Sequence, residues 1–396
     1  MPRGLFVLLG ALTGLTPFAI DAYLPALPSL TRDLQSTSSA TQLTIAALLV
    51  GLASGQLVAG SLSDRFGRRA PVLVGLVGFV LASIGCALAP SVEVLIGFRL
   101  LQGLTGAAAV VVSRAVIRDL FEGAAAARAF ASLILVMGVA PVLAPVVGAQ
   151  ALRFTSWRGV FVVLTVFGVV LLACTWRALP ETLPPERRSD GGLRSTLEVF
   201  GRLARDPGFV LPSLAGAAGF ASLFAYIAGS PYVLQEVHGL SPQAYSGVFA
   251  VNALCFVALA QVGGRVVART GALPLVLVGA VLSVCGATTF LVAAVLGAGL
   301  PVVLPGLLLV VAAIGLIAPN ATALALADHG RTAGSASALL GLLQYALGAI
   351  AAPLTGLGGS RSDLPLALVI VTASLASLLC ALATGRRLAR VRAAAG

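Results

Sequence analysis

Apolar residues in this chain come in blocks of about twenty, separated by short polar stretches. Twelve such blocks stand out, at roughly 5–27, 41–62, 71–89, 93–115, 129–151, 159–178, 209–234, 243–263, 274–296, 301–326, 333–357 and 365–384. At a rise of ~1.5 Å per residue, each is long enough for a helix to cross ~30 Å of hydrocarbon. The blocks are continuous rather than alternating with period two, which selects helices over the strands of a membrane barrel. One polar stretch is much longer than the rest. It runs from about Arg177 to Gly208 and carries Glu181-Thr-Leu-Pro-Pro-Glu-Arg-Arg188. The pattern therefore predicts an all-α membrane protein of twelve transmembrane helices in two six-span halves: residues 1–180, a linker loop over 181–208, and residues 209–396.

A weak internal repeat supports two related halves. A shift of 204 residues aligns Gly60 with Gly264, Arg65 with Arg269, Gly67 with Gly271, and Val72-Leu-Val-Gly75 with Val276-Leu-Val-Gly279. The match falls between the second and third spans of each half, where an architecture built from repeats would place it. Asp64 has no counterpart, since Ala268 stands in its place.

Composition agrees with lipid as the solvent: 59% of residues are hydrophobic, only 10% are charged, and mean hydropathy is +1.04. The net charge of +11 reflects topology rather than nucleic-acid binding, because the basic residues are all arginine and sit in the turns. Arg3, Arg65, Arg68, Arg69, Arg114, Arg118, Arg128, six from Arg177 to Arg205, Arg265, Arg269, Arg331 and four from Arg386 to Arg392 fall on one side, 20 of the 25. Arg32, Arg153, Arg158 and Arg361 fall on the other. The positive-inside rule then places both termini in the cytoplasm. The apolar N-terminal run continues past Asp21 and is expected to remain as the first span rather than be cleaved. Cys86, Cys174, Cys255, Cys285 and Cys380 all lie in apolar blocks and form no CxxC pair; with two histidines in the chain, no metal site is expected.

Chemistry must come from the few polar groups inside the spans. Asp21 lies about sixteen residues into the first span, ~24 Å from its cytoplasmic start. An acid in hydrocarbon is costly and faces a partner or a water-filled cavity, where it can load and release a proton. Alternatively the span ends early at Pro25 and Pro28, leaving Asp21 at the interface or as a permanently paired structural acid. Arg99 is about six residues into the fourth span from the outer side, near the depth of Asp21. If spans one and four are neighbours, the two charges can pair, either as a proton-sensing couple or as a static lock.

The fifth span carries Gly138-Val-Ala-Pro141-Val-Leu-Ala-Pro145-Val-Val-Gly148. Prolines four apart share a face and remove two backbone donors, giving a bent helix with a small-residue face. The loop Gly60-Ser-Leu-Ser-Asp64-Arg65-Phe-Gly67-Arg68-Arg69 is either a solvated turn or a charge lock with another cytoplasmic element such as Asp119. The latter is preferred. Polar candidates for a substrate cavity are few: Tyr23, Gln56, Ser113, Tyr226, Tyr232, Asn252, Asn320, Gln344 and Tyr345. So few hydrogen-bonding groups suit a lipophilic substrate better than a sugar, whose hydroxyls each need a partner.

Over essentially its whole length the chain resembles the major facilitator superfamily. Gly60-xxx-Asp64-Arg65-x-Gly67-Arg68-Arg69 is similar to its loop 2–3 signature, and Arg99-Leu-Leu-Gln102-Gly103 to the span-four signature of proton-coupled members. The fifth span resembles the antiporter signature of drug exporters, with Ala144 where a glycine is usual. Ala19-Ile-Asp21-Ala-Tyr23-Leu-Pro25-Ala-Leu-Pro28, Ala140-Pro-Val-Leu-Ala-Pro145 and Glu181-Thr-Leu-Pro-Pro-Glu-Arg-Arg188 narrow the likeness to the bicyclomycin/chloramphenicol-resistance (Bcr/CflA) branch of drug:proton antiporters.

The resemblance implies the major facilitator fold of two pseudo-symmetric six-helix bundles, a central cavity with alternating access, and Asp21 as the acid of protonation and drug binding with Arg99 its coupling partner. It also implies a cytoplasmic gate of Arg68 with Asp119 and of Asp64 with the C-terminal half. The expected protein is a multi-pass exporter of the bacterial inner membrane and a monomer. It moves small lipophilic drugs against protons, with the proton gradient as energy source and no bound cofactor. The competing readings are a carrier of the same fold for a metabolite, amino acid or self-made antibiotic, and a non-transporting membrane scaffold or sensor. An enzyme is disfavoured, because no nucleophile–base pair or metal set is visible.

Overall fold

The computed structural model describes residues 3–121, 123–188, 193–329, 333–359 and 361–395. Of the arginines counted for orientation, Arg331 lies outside the described residues, as do the side chains of Arg3, Arg128, Arg187, Arg194 and Arg392.

The described chain is helical, with no strand. In lipid this follows from the need to pair every backbone N–H and C=O within its own segment. The helices are α1 (Arg3–Asp21), α2 (Leu27–Asp33), α3 (Ser38–Phe66), α4 (Arg69–Leu88), α5 (Val92–Leu120), α6 (Gly123–Ala151), α7 (Trp157–Ala178), α8 (Leu193–Leu203), α9 (Pro207–Tyr232), α10 (Pro242–Thr270), α11 (Ala272–Leu296), α12 (Leu300–Leu326), α13 (Ala333–Leu354) and α14 (Leu364–Ala395). Eleven helical stretches among the described residues are long and apolar enough to cross a membrane. The fifth expected span coincides with α6, whose fully described apolar part is Gly138–Ala151.

Two features depart from the expected layout. The first span is interrupted: α1 stops at Asp21, and a tight 3₁₀ turn over Leu24–Ala26 leads into α2. Pro25 and Pro28 each sit at the start of a new helical piece, where a missing N–H costs nothing. The break therefore puts Asp21 at the C-terminal end of a helix within a continuous apolar passage, Gly4–Asp33. In addition, the 181–208 segment, expected as a loop, contains α8. Leucines and phenylalanine recur in its sequence at helical spacing, and Phe200 and Leu203 are buried.

The chain forms two compact units. The first comprises 1–36, 43–193 and 241–250; in it α1 packs on α5, α6 and α7, and α4 on α5 and α7. Its apolar centre includes Leu9, Leu12, Leu15, Phe79 and Val112. The second comprises 37–42, 194–240 and 251–396; in it α9 packs on α12, α13 and α14, and α11 on α12 and α14. Within this unit Gln42 donates to the Ala228 carbonyl at 3.1 Å and Ser38 to that of Gly356 at 3.2 Å.

The repeat read from the sequence has a structural basis in each unit. Gly67 and Gly271 both adopt positive φ, +90° and +80°, a conformation that glycine alone enters freely. Each ends the long helix before it and starts α4 or α11. Each unit also packs two helices backbone to backbone at glycine: Gly103 of α5 on Leu48 of α3, and Gly315 of α12 on Phe256 of α10.

Candidate functional site

Three of the expected site residues meet in the first unit. Asp21 is 4% exposed, and its Oδ1 has no hydrogen-bond partner. Arg99 is fully buried on α5. Its Nη1 donates to the Ala19 carbonyl at 3.0 Å and to Gln102 Oε1 at 2.7 Å, which brings the guanidinium to the last turn of α1. The Gln102 amide in turn donates to Ser83 at 2.8 Å. The guanidinium lies 4.2 Å from the centre of the Tyr23 ring, a cation–π stack, and 5.7 Å from that of Phe161. Tyr23 shares a hydrogen bond with Thr44 at 3.0 Å.

The direct Asp21–Arg99 ion pair expected from depth is not formed. The guanidinium has turned instead to a carbonyl, an amide and an aromatic face, with Nε and Nη2 left without partners. Two buried donor nitrogens and a buried carboxyl oxygen thus remain unsatisfied around the break in the first span. Thr16, one turn earlier on α1, adds a buried hydroxyl with no partner. Native interiors rarely leave such groups unpaired.

The helix that resembles the antiporter signature packs directly on this break. α6 contains Pro141 and Pro145, and its buried Gly148 packs on the backbone of Ala22, the residue after Asp21. A Cβ at Gly148 would lie against the Ala22 carbonyl oxygen and 2.7 Å from its carbonyl carbon. Ala144, where the signature has glycine, is fully buried, and Gly138 is half-buried.

The residues expected to form a cytoplasmic lock make a dense cluster, also in the first unit. Arg68 is 7% exposed; its Nε donates to Asp119 at 2.8 Å and its Nη1 to Asp64 at 2.6 Å and to Ser63 at 2.9 Å. Burial works against the guanidinium's charge, yet the Asp119 and Asp64 carboxylates hold it further into its protonated range. Thr182 adds a 2.9 Å hydrogen bond to Asp119. Asp64 is mostly exposed, Arg65 stacks on Phe66, and Gly60 is half-buried in α3.

Glu181, read in the sequence only as part of a signature, is central here. Its carboxylate accepts from the backbone N–H of Arg68 at 2.8 Å and of Arg69 at 3.2 Å, capping the start of α4 from 113 residues away. Partial burial opposes its charge, but those N–H groups, with those of Leu183 and Thr182, hold its carboxyl below the usual range. The fit also needs Gly67, since a Cβ there would come 2.7 Å from Glu181 Cδ.

The cavity candidates divide between the units. Ser113 donates to the Ala109 carbonyl of its own helix, and Gln56 is half-buried on α3. In the second unit Asn252 donates to the Tyr226 hydroxyl at 2.8 Å, Asn320 donates to the Leu316 carbonyl, and Tyr232 is buried. Tyr345 lies 6.2 Å from the Phe224 ring, and Gln344 is half-buried beside it. A pair that the sequence did not suggest also lies here: Nε2 of half-buried His238 and Oδ2 of buried Asp363 are 2.8 Å apart. No group of three or more His, Cys, Asp or Glu residues placed to hold a metal occurs among the described residues.

Comparison with known proteins gives concordant likenesses. The pattern defining the Major Facilitator Superfamily matches residues 9–353. An uncharacterized MFS-type transporter, YdgK of Bacillus subtilis, is 35% identical over 94% of this chain and 93% of its own. A bicyclomycin resistance protein homolog of Haemophilus influenzae is 28% identical over 87% of each chain. A chloramphenicol resistance protein of Pseudomonas aeruginosa is 33% identical over 65% of this chain and 60% of its own. Among solved structures, a D-xylose–proton symporter superposes with a TM-score of 0.77 at 17% identity, covering 95% of this chain and 97% of its own.

Proposed function

The chain belongs to the Major Facilitator Superfamily and is a multi-pass membrane transporter, and from that premise we propose that it is a drug:proton antiporter of the bicyclomycin/chloramphenicol-resistance branch. The cargo would be a small lipophilic drug, expelled across the inner membrane as protons enter, with both termini in the cytoplasm. The names of the Haemophilus and Pseudomonas relatives support the branch.

The observation that carries the coupling is Asp21: an acid at 4% exposure, at a helix break inside a membrane span, with one oxygen unpaired and a buried arginine held at the Ala19 carbonyl of the same helical turn. In such a place the neutral acid is tolerated, while the carboxylate needs a partner. Arg99 Nε and Nη2 can supply it when the proton leaves. A hydrogen-bond donor or cationic group on a substrate can pair with the Asp21 carboxylate in place of the proton, so drug and proton compete for one site. Gln102 and Ser83 fix the guanidinium, and Tyr23 covers its face.

The test uses inverted membrane vesicles with an acid-inside gradient read by a pH-sensitive dye. Chloramphenicol, florfenicol, bicyclomycin and lipophilic cations are added in turn. Dissipation by at least one of them in vesicles carrying the protein, and not in control vesicles, is the expected result. No dissipation by any of them, with the protein folded and inserted, contradicts the drug-antiport reading.

A further inference from the structure

At one end of the second unit, α9 and α14 enclose a groove of about 440 Å³ lined by Pro207, Leu211, Ala383, Arg386, Arg387 and Arg390. Its position in the bilayer follows from helix length. α14 begins at Leu364, so Arg386 lies 22 residues, or ~33 Å, along it. That is just beyond the ~30 Å hydrocarbon layer and within the headgroup zone. Pro207 starts α9 at the same level, and Leu211 lies one turn deeper.

The three arginines are not equivalent. Arg387 is already engaged: its Nη2 lies 3.4 Å from Asp206 Oδ1, and it packs against Gly208. Asp206 is itself the N-cap of α9, accepting from the Gly208 N–H at 2.8 Å. Arg386 and Arg390 are exposed and have no ion pair or hydrogen bond among the described residues. Four apart, they share one face of α14. Ala383 continues that face toward the hydrocarbon, and Leu211 of α9 lines the groove beside it.

We propose that this groove binds one anionic phospholipid, with its phosphate between Arg386 and Arg390 and an acyl chain along Leu211 and Ala383. Guanidinium pairs bind phosphate with fixed geometry, and basic pockets between helix ends at headgroup depth suit acidic lipids. The apolar wall separates a lipid from a free phosphate, which would gain nothing from Leu211. The site stands apart from Asp21 and from the exporter reading, so each can fail alone.

The experiment is native mass spectrometry of the full-length protein in detergent, titrated with phosphatidylglycerol or phosphatidylcholine of matched chains. Wild type retains phosphatidylglycerol at least tenfold better. The double variant Arg386→Gln/Arg390→Gln loses that preference while its melting temperature is unchanged. A control with two other arginines removed, Arg265→Gln/Arg269→Gln, keeps it. Inorganic phosphate does not displace the lipid. Equal retention of both lipids, an unchanged preference in the Arg386/Arg390 variant, an equal loss in the control, or full displacement by inorganic phosphate would each overturn the proposal.

Discussion

Replacing Gly148 by alanine adds one methyl group where α6 meets the turn after Asp21. The new carbon would lie 2.7 Å from the carbonyl carbon of Ala22 and against its oxygen. Carbon atoms in contact sit ~3.5–4.0 Å apart, so α6 and the turn must separate by roughly 1 Å. Overpacking of this kind costs ~1–3 kcal/mol. If the strain falls on the Asp21 break, the coupled step slows by about five- to 150-fold at ~1.4 kcal/mol per factor of ten. The assay is drug-driven proton flux in vesicles, with thermal melting of the purified protein alongside. Gly247→Ala is the matched control, because a Cβ on that helical glycine meets nothing within 4 Å; there alanine should stabilise by up to ~1 kcal/mol. Flux and melting of Gly148→Ala indistinguishable from those of Gly247→Ala would refute the view that α6 holds the break.

Three further outcomes follow from the clusters. Arg68→Ala strands Asp119 with a single hydroxyl donor and should cost about 3 kcal/mol, whereas Asp64→Asn, at a carboxylate that is mostly exposed, should cost under ~1 kcal/mol; melting temperatures in detergent rank the two. Because the Glu181 carboxyl is held below its usual range in the folded protein, its stabilisation is present above the ordinary carboxylate value of ~4.3 and is lost as pH falls through the lower folded value. The melting difference between wild type and Glu181→Gln should therefore shrink in acid and hold steady at neutral pH. His238→Ala leaves buried Asp363 without its donor and should destabilise by ~1–3 kcal/mol, with much of that recovered when Asp363→Asn is added; chemical denaturation of the single and double variants measures both.

The membrane architecture was legible because lipid imposes a simple rule: long apolar blocks must be helices. The helix ends were less so. α14 continues eleven residues past its apolar block, since an arginine-rich helix is stable in the headgroup region. Asp21 and Arg99 stood out because charge inside a span is rare, but their mutual geometry did not. Depth alone allowed a pair, while the structure gives Arg99 a carbonyl, an amide and the Tyr23 ring. Ser113 and Asn320 show the converse limit. Each satisfies itself on a carbonyl four residues back, and a polar residue doing this reads like one lining a cavity. The grip of Glu181 on the start of α4 depends on contact across 113 residues, which no local pattern records.

The central claim is that Asp21 carries the proton that a drug displaces. The most direct measurement is proton release from purified protein in weakly buffered detergent solution when drug is added. Wild type should release protons in proportion to bound drug, and Asp21→Asn, still folded, should release none. Release of equal size from Asp21→Asn would contradict the account and place the coupling at another group.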